Sequence, residues 1–226
     1  MNDPGFAQQM EILKRLGAAT VHEALGLRGY VDSAIAPLDP SSRIAGRAYT
    51  VDSKGGDNLM MHYAISQAQP GDIVVVDYKR YTRAAAVGDL MAYSALKRGL
   101  GGIVIDGAVR DAAPIVEMGF PVFARGLCIT GPTKAQAGKV NVAIVVGGCT
   151  VQPGDIIVGD RDGLVVIPSA ELNDVIRLAQ ARDEREANVR RRLDSGTTTV
   201  EIFGLAETLR GRGLDVPLST AGRSQE

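Results

Sequence analysis

Short amphipathic segments alternate with short apolar runs over the first two-thirds of the chain. Apolar residues spaced three and four apart predict helices over residues 5–18, 20–25, 58–66, 89–98 and 110–118. Continuous apolar runs predict buried strands over residues 43–51, 73–77, 103–106 and 121–124. Strands that alternate with helices are typical of an α/β or layered β/α domain.

The pattern changes near residue 140, where strands and turns follow one another without helices. Strands are predicted over residues 142–146, 156–158 and 163–167, and a long helix follows over residues 170–193. No linker marks a boundary, so we expect a single domain over residues 1–226. Residues 205–226 form a less regular C-terminal tail, and residues 219–226 are expected to be frayed.

Composition excludes several classes of function. The 25 Lys and Arg residues balance 26 Asp and Glu residues, so the strongly basic surface typical of nucleic-acid binding is missing. Aromatic residues make up only 4% of the chain and Trp is absent, which argues against a base-stacking platform. No segment resembles a signal peptide, and no apolar run reaches the roughly 18 residues that span a bilayer. We expect a cytoplasmic protein that binds neither nucleic acid nor membranes.

Cysteines, histidines and glycine-rich loops suggest no familiar site. Cys128 and Cys149 lack CxxC spacing, and His22 and His62 lack metal-ligand spacing, so both histidines are interpreted as packed or capping residues. The GLGG run at 99–102 precedes a strand, whereas a dinucleotide-binding loop follows one. Nucleotide-dependent chemistry is therefore disfavoured.

The most informative chemical signal combines Asp89 with Arg110 and Asp111. The Arg-Asp pair directly follows a predicted strand, at the edge where open α/β sheets bind ligands. Asp89 begins the preceding helix, and unpaired amides of Leu90 and Met91 there would make an anion site. An anion site, a guanidinium and a carboxylate that can hold a hard cation together suit a small 2-oxo acid chelating a metal.

Each of these residues also has a structural interpretation. Asp89 can serve only as a helix cap, and Arg110–Asp111 can be an ordinary surface pair. Asp57 and Asn58 lie in a glycine-rich turn at another helix start, where they either cap the helix or line a substrate pocket.

The long C-terminal helix carries Glu186 within its apolar face. A carboxylate in an apolar stripe costs free energy unless it is paired or near a cation. Either Glu186 pairs with Arg182 or Arg190, four residues away on each side, or it points at a site, with another subunit as one option.

These segments resemble one known family. The chain is similar, over roughly residues 15 to 215, to the family that joins regulator of ribonuclease activity A to the class II 4-hydroxy-4-methyl-2-oxoglutarate and 4-carboxy-4-hydroxy-2-oxoadipate aldolases. The resemblance rests on ATVHEALG (19–26), GGDNL (55–59), PGDIVVVD (70–77), GDLMAYSALKRGLGGIVIDGAVRD (88–111), VQPGDIIVGDRDGLVVIP (151–168) and REANVRRRLDSG (185–196).

The resemblance implies a layered β/β/α fold like that of swivelling domains, assembled as a homotrimer or homohexamer with sites between subunits. It also implies a divalent cation, Mg²⁺ or Mn²⁺, bound directly by Asp111 and through water by Asp89 and Glu186, the glutamate coming from a neighbouring subunit. Asp89, Glu186 and Arg110 are the expected catalytic residues, and Arg110 contacts pyruvate oxygens and stabilises the enolate.

Substrate binding is expected at Arg110, Gly88, Leu90, Met91 and Asn58. The implied reaction is retro-aldol cleavage of a 4-hydroxy-2-oxo dicarboxylic or tricarboxylic acid to pyruvate and a second oxo acid. The same enolate chemistry would decarboxylate oxaloacetate, and it needs no lysine Schiff base.

One departure keeps two alternatives open. The aldolase pattern continues Arg-Asp-x2-Glu/Asp, whereas this chain has Pro114 at the acidic position. One alternative is a related metal-dependent 2-oxo acid decarboxylase. The other is a non-catalytic regulatory protein of the ribonuclease-inhibitor branch, although that branch generally lacks an acid at the position of Asp89.

Overall fold

The computed structural model describes residues 4–216, which divide into two compact units between Ala179 and Gln180. The helices are α1 (Pro4–Leu16), α2 (Ala18–Ala24), α3 (Leu59–Gln67), α4 (Asp89–Lys97), α5 (Ala112–Glu117), α6 (Leu172–Asp194), α7 (Thr199–Ile202) and α8 (Ala206–Arg210). The strands are β1 (Ala36–Pro37), β2 (Ile44–Asp52), β3 (Ile73–Ala85), β4 (Gly102–Val109), β5 (Val122–Leu127), β6 (Lys139–Val140), β7 (Ile144–Val146), β8 (Cys149–Val151), β9 (Ile156–Asp160) and β10 (Gly163–Ile167). The unit boundary falls inside α6.

A mixed sheet forms the centre of the first unit. Its order is β1-β5-β4-β3-β2-β9-β10, with β6 paired to β2, and the pairs among β2, β3, β4 and β5 are parallel. The parallel strands are linked through α3, α4 and α5, as expected for crossover connections. The predicted α/β class with a long C-terminal helix is confirmed.

Alternating side chains of the central strands build two hydrophobic cores. Val74 and Val76 of β3 pack with the helices α3 and α4, whereas Ile73 and Val75 face a second β layer that includes the β7–β8 hairpin. Both faces of these strands are therefore covered, which explains why they appear in the sequence as continuous apolar runs. The layering is β on β on α. A third core packs α1, α2 and the start of α6 against β9 and β10.

Strand β3 is longer than predicted. The polar sequence after Asp77 suggests a loop, but the strand continues to Ala85 with shifted register against β4. Lys79 and Arg80 have φ values of 61° and 55°, so they form an irregularity within the strand. The Lys79 Nζ lies 2.6 Å from carboxylate oxygens of both Asp52 and Asp77, which stabilises charged residues within the sheet.

Two other boundaries also differ. The helix predicted to begin at Arg110 begins at Ala112, because Asp111 has left-handed backbone angles that no helix continues through. The strand predicted over residues 142–146 is shorter and pairs with β8, a strand that was not predicted from the sequence. Its turn contains Gly147 and Gly148, both at positive φ.

The second unit is helical in its described part, residues 180–216. It contains the C-terminal half of α6, then α7 and α8, so the tail after Gly204 includes a short helix. The hydroxyl of Thr198 and the carboxylate of Glu201 form a capping box at α7. Residues 219–226, expected to be frayed, lie outside the described residues. Within residues 4–216 no helix is both long and apolar enough to span a membrane.

Candidate active site

The carboxyl ends of β3 and β4 bring the predicted site residues together. The Ala86 amide donates to the Ala108 carbonyl at 2.8 Å, and the Arg110 amide donates to the Val87 carbonyl at 3.0 Å. These bonds tie the end of β4 to the segment that enters α4. Arg110 therefore lies beside Gly88, although the two residues are far apart in sequence.

Asp111 is held in an unusual conformation over this segment. Its φ of 56° and ψ of 42° lie in the left-handed region, which is sparsely populated for residues other than glycine. Its Oδ2 lies 3.2 Å from the Arg110 Nε and accepts a hydrogen bond from the Asp89 amide at 3.3 Å. A Cβ on Gly88 would lie 2.5 Å from this oxygen. The absence of a side chain at Gly88 is what allows the approach.

The amides at the start of α4 have partners, contrary to the expectation from sequence. The Leu90 amide donates to Oδ1 of Asp89 at 2.8 Å, and the Met91 amide donates to the Gly88 carbonyl at 3.2 Å. The expectation of unpaired amides is therefore wrong for this state of the protein. A substrate carboxylate could use the Leu90 amide only after the Asp89 side chain turns away.

Asn58 carries a buried polar atom that lacks a partner among the described residues. Its Nδ2 donates to the Ala86 carbonyl at 3.1 Å, which fixes the orientation of the amide. Its Oδ1 is buried and accepts no hydrogen bond within the described chain. An unpaired buried acceptor costs about 1–3 kcal/mol. The start of α3 is capped instead by Asp57, whose Oδ1 accepts from the Leu59 amide at 3.0 Å.

Two small cavities meet at Arg110. One, of about 150 Å³, is lined by Asn58, His62, Ala85, Ala86, Val87, Gly88, Asp89, Leu90, Met91, Arg110, Pro132 and Lys134. The other, of about 290 Å³, is lined by Arg110, Asp111, Ala112, Leu127, Cys128 and Ile129. All the predicted residues of the first unit therefore border one region, with the guanidinium of Arg110 between its two halves.

His62 and Lys134 also line the cavity, although His62 was expected to be only a packed or capping residue and Lys134 was not among the predicted site residues. Burial, assisted by the nearby Lys134 cation, lowers the pKa of His62, so the imidazole is neutral at neutral pH. Lys134 lies in an irregular segment after β5. A signal was available, because that segment follows the carboxyl end of a strand parallel to β4 and so belongs to the same edge of the sheet.

A larger cleft of about 910 Å³ lies elsewhere, between α1 and the turn at residues 69–72. It borders the residues that precede β3 and β4, whereas ligands of open α/β sheets bind at the carboxyl ends of the strands. Its guanidinium, Arg47, stacks on the ring of Phe6 at 3.9 Å. We place the candidate site at Arg110 because the guanidinium and the carboxylates of Asp89 and Asp111 lie together there.

The carboxylates near Arg110 match what a hard cation requires. Asp111 and Asp89 supply oxygen donors, and Mg²⁺ typically uses one or two carboxylates while keeping several waters. Among residues 4–216, no three His, Cys, Asp or Glu side chains form a potential metal cluster. The residues present therefore fit a hydrated cation of the Mg²⁺ or Mn²⁺ type and not a closed structural zinc site.

Glu186 belongs to the second unit. Its carboxylate lies 3.0 Å from the Arg182 Nε and 3.3 Å from the Arg190 Nη2, both on the same helix. The pairing proposed as the structural alternative is thus present in a single copy of the chain.

Comparison with known proteins identifies the family. A family model described as RraA-like, Aldolase/RraA, matches residues 18–166. The chain belongs to the RraA-like family. The matched range includes Asn58, Asp89, Arg110 and Asp111, and it ends before Glu186.

Individual relatives carry different names. A Halalkalibacterium halodurans protein named "Putative 4-hydroxy-4-methyl-2-oxoglutarate aldolase" is 39% identical over 167 residues, which are 73% of this chain and 80% of the relative. The structure of an uncharacterized protein from Pseudomonas syringae pv. tomato has a TM-score of 0.76 at 29% identity, covering 85% of this chain and 94% of its own. The RNA-processing inhibitor RraA from Thermus thermophilis has a TM-score of 0.62 at 27% identity, covering 67% and 92%.

Proposed function

We propose that this protein is a divalent-metal-dependent lyase. It cleaves a 4-hydroxy-2-oxo dicarboxylic or tricarboxylic acid to pyruvate and a second oxo acid, and it decarboxylates oxaloacetate as a side activity. Family membership and the aldolase-named relative support the general class, aldolase or RraA-type. The observation that carries the finer proposal is the Asp111 carboxylate held between Arg110 and the Asp89 amide over Gly88.

Asp111 would hold Mg²⁺ or Mn²⁺ directly. Asp89, and Glu186 of the partner subunit, would hold the cation through bound water molecules. When bound, the cation supplies Lewis-acid polarisation of the 2-oxo group. The Asp111 Oδ2 lies 3.2 Å from the Arg110 Nε, so a small ligand can contact the carboxylate and the guanidinium at the same time. This arrangement suits a substrate that carries both a keto oxygen and a carboxylate.

Arg110 stabilises the charge that develops in the reaction. As the C3–C4 bond breaks, its electron pair moves toward C3 and the keto oxygen, which becomes the enolate oxygen of pyruvate. The C4 hydroxyl loses its proton, to a water oriented by Asp89 and Glu186 of the partner subunit, and becomes the carbonyl of the second product. C3 then takes a proton. A guanidinium at the enolate oxygen is worth most at the transition state, where that charge is largest.

The remaining residues bind and orient the substrate. At the start of α4 the Leu90 amide receives the carboxylate once Asp89 turns toward the cation, and Gly88 and Met91 line the space that the carboxylate enters. Asn58 lines the same 150 Å³ cavity, where its side chain shapes the space available to the distal end of the substrate. Lys134, which also lines the 150 Å³ cavity, provides the cation for a second carboxylate.

Assembly as a homotrimer or homohexamer completes the site. Large apolar side chains next to the cavities are exposed in one copy, with 79% of Leu90, 62% of Leu127 and 95% of Ile129 accessible. An apolar rim of this kind is typical of a surface that another protein covers. A second copy that covers it would also supply Glu186.

The experiment that tests the proposal is pyruvate release from 4-carboxy-4-hydroxy-2-oxoadipate and from oxaloacetate, with Mg²⁺ or Mn²⁺ and then with EDTA. We expect fast release from the aldol substrate that the chelator abolishes. Release from oxaloacetate alone would favour the decarboxylase alternative. In that case Pro114, the third residue of α5, marks a site that has lost the acid of the aldolase pattern.

A second candidate is a non-catalytic regulatory protein. The observation that favours it is the shared fold with the RNA-processing inhibitor RraA and with Streptomyces coelicolor RraAS2, described as an unusual member of the RNase ES inhibitor RraA protein family. Absence of pyruvate release from both substrates, together with absence of Mn²⁺ binding, would favour this function.

A further inference from the structure

Asp57 is a buried carboxylate that the proposed reaction leaves unused. It is 1% exposed. Its Oδ1 accepts from the Leu59 amide at 3.0 Å. Its Oδ2 accepts from the Thr133 hydroxyl at 2.6 Å and from the Ala135 and Gln136 amides at 2.7 and 3.1 Å. One side chain thus joins the start of α3 to a segment more than 70 residues later.

That segment, residues 130–138, contains no helix and no strand. Its first part follows the candidate site, because the Ala85 amide donates to the Thr130 carbonyl at 2.9 Å and a Cβ on Gly131 would lie 3.3 Å from the Arg110 Nη1. Its middle part brings Lys134 to the cavity wall. A segment without secondary structure keeps such a position only if specific bonds hold it.

The backbone around Asp57 reinforces the connection. The Asn58 amide donates to the Thr133 carbonyl at 3.0 Å, and the Thr133 amide donates to the Gly56 carbonyl at 2.9 Å. Asn58 itself lines the cavity, and its buried Oδ1 has no partner among the described residues. Asp57 therefore lies at the junction of the two segments that carry Asn58 and Lys134 to the cavity lining.

We infer that Asp57 is a positioning residue, which holds Asn58 and Lys134 in the part of the cavity wall that recognises the distal, carboxylate-bearing end of the substrate. The inference rests on the proposed function for the identity of that substrate. It assigns to Asp57 no contact with the reacting atoms. The expected contribution is to substrate affinity, because interactions with the distal end are made equally in the ground and transition states.

The charge of Asp57 supports this role. Burial alone would raise the pKa of the carboxyl. The hydrogen bonds that it accepts from Ala135, Thr133, Leu59 and Gln136 have the larger effect, and together they lower the pKa to about 2. The group is therefore ionised at any physiological pH. Hydrogen bonds to an ionised acceptor are roughly twice as strong as neutral ones, so the junction is stiff.

The test compares Asp57→Asn with Asp155→Asn. Asp155 is also buried and accepts from two backbone amides, of Gln152 and Ser169, but it precedes β9 at the other end of the sheet. Two quantities are measured on each variant: the KM for 4-carboxy-4-hydroxy-2-oxoadipate, and the Kd for oxalate with Mg²⁺. Oxalate resembles the pyruvate enolate and has no distal end.

For Asp57→Asn we expect KM to rise about tenfold or more, with kcat within about threefold and the oxalate Kd nearly unchanged. For Asp155→Asn neither quantity should move. Parallel loss of oxalate and substrate affinity would show that Asp57 is merely structural and would overturn the inference. An unchanged KM would overturn it as well.

Two further measurements keep the test decisive. If Asp57→Asn fails to fold, Thr133→Val removes only the hydroxyl donor, and Thr133→Ser should restore the wild-type KM; absence of rescue would contradict the inference. Hydrogen exchange without substrate should accelerate at Ala135 and Gln136 in Asp57→Asn and stay unchanged elsewhere in the sheet. This exchange pattern tests the junction even if the wild-type protein releases no pyruvate, a result that would instead overturn the proposed function.

Discussion

The carboxylate of Asp111 occupies the space that a side chain on Gly88 would fill, at the carboxyl edge of the sheet. The Asp111 Oδ2 lies where a side chain on Gly88 would begin, 2.5 Å from the position of a Cβ. The backbone of Gly88, with φ of −125°, is one that any residue can adopt. The glycine is therefore required for space and not for conformation. The carboxylate that gains this space also faces the Asp89 amide and the guanidinium of Arg110.

Gly88→Ala should separate activity from stability. The new methyl group would displace the Asp111 side chain, which is accessible and can rotate, so we expect a loss of about 1 kcal/mol or less in the free energy of unfolding. Pyruvate release should fall about 100-fold, as when groups that orient a metal ligand are disturbed. Gly126→Ala is the matched control, because a Cβ there meets open space and its φ is not positive. Equal activities of the two variants would remove Asp111 from the site.

Asp111→Asn should abolish metal-dependent turnover in a folded protein. Asparagine tolerates the left-handed backbone angles of this position, so the start of α5 should be preserved. The amide lacks the negative charge that a hard cation requires. Mn²⁺ binding followed by electron paramagnetic resonance, together with pyruvate release, checks the expectation. Wild-type turnover with Mn²⁺ still bound would refute the assignment of Asp111 as the direct ligand.

The sequence is sufficient to predict the parallel core but not the details of its edge. The apolar runs at β3 and β4 predict buried strands, because a strand that is covered on both faces carries apolar side chains at consecutive positions. The continuation of β3 past Asp77 shifts its register against β4, and it is accompanied by an ion pair of Lys79 with Asp52 of β2 that forms only in the tertiary structure.

In the candidate site, too, some residues could be predicted from the sequence and others could not. Arg110 and Asp111 are predictable from their place after a strand. The partners of the Leu90 and Met91 amides, by contrast, depend on the rotamer of Asp89 and on the Gly88 carbonyl. Lys134 reaches the cavity through an irregular segment whose path no periodicity encodes.

Arg110→Lys should lose most activity. The Arg110 guanidinium bounds both cavities and approaches Asp111 through Nε, whereas an ammonium is a compact point charge that cannot make two parallel contacts. We expect kcat to fall about 100- to 1000-fold, which is typical for removal of one group that stabilises a developing oxyanion. Arg98→Lys, which alters only a bond to the Ser66 carbonyl beyond the site, is the control. If Arg110→Lys retains its kcat, the guanidinium has no role at the enolate.

The free energy of unfolding at acidic pH should depend on Asp57. Its pKa of about 2 in the folded protein lies below its ordinary value of 3.8. A lowered pKa stabilises the fold above the ordinary value, and that contribution, about 2 kcal/mol, is lost as the pH falls toward 2. Urea unfolding from about pH 5 to about pH 2 should show the stability gap between wild type and Asp57→Asn narrowing by this amount. A gap that is constant across this range would contradict the lowered pKa.

Glu186 tests whether sites are shared between copies of the chain. Within one copy its carboxylate is paired with Arg182 and Arg190, so Glu186→Gln should change stability by less than about 1 kcal/mol. If the glutamate serves the site of a partner subunit, Glu186→Gln and Asp111→Asn should each be inactive alone. Mixing the two variants under subunit exchange should then create some sites with both native carboxylates and restore part of the pyruvate release. Restoration requires that each site draws on two subunits; inactive mixtures with proven exchange would place both residues in one copy or remove Glu186 from catalysis.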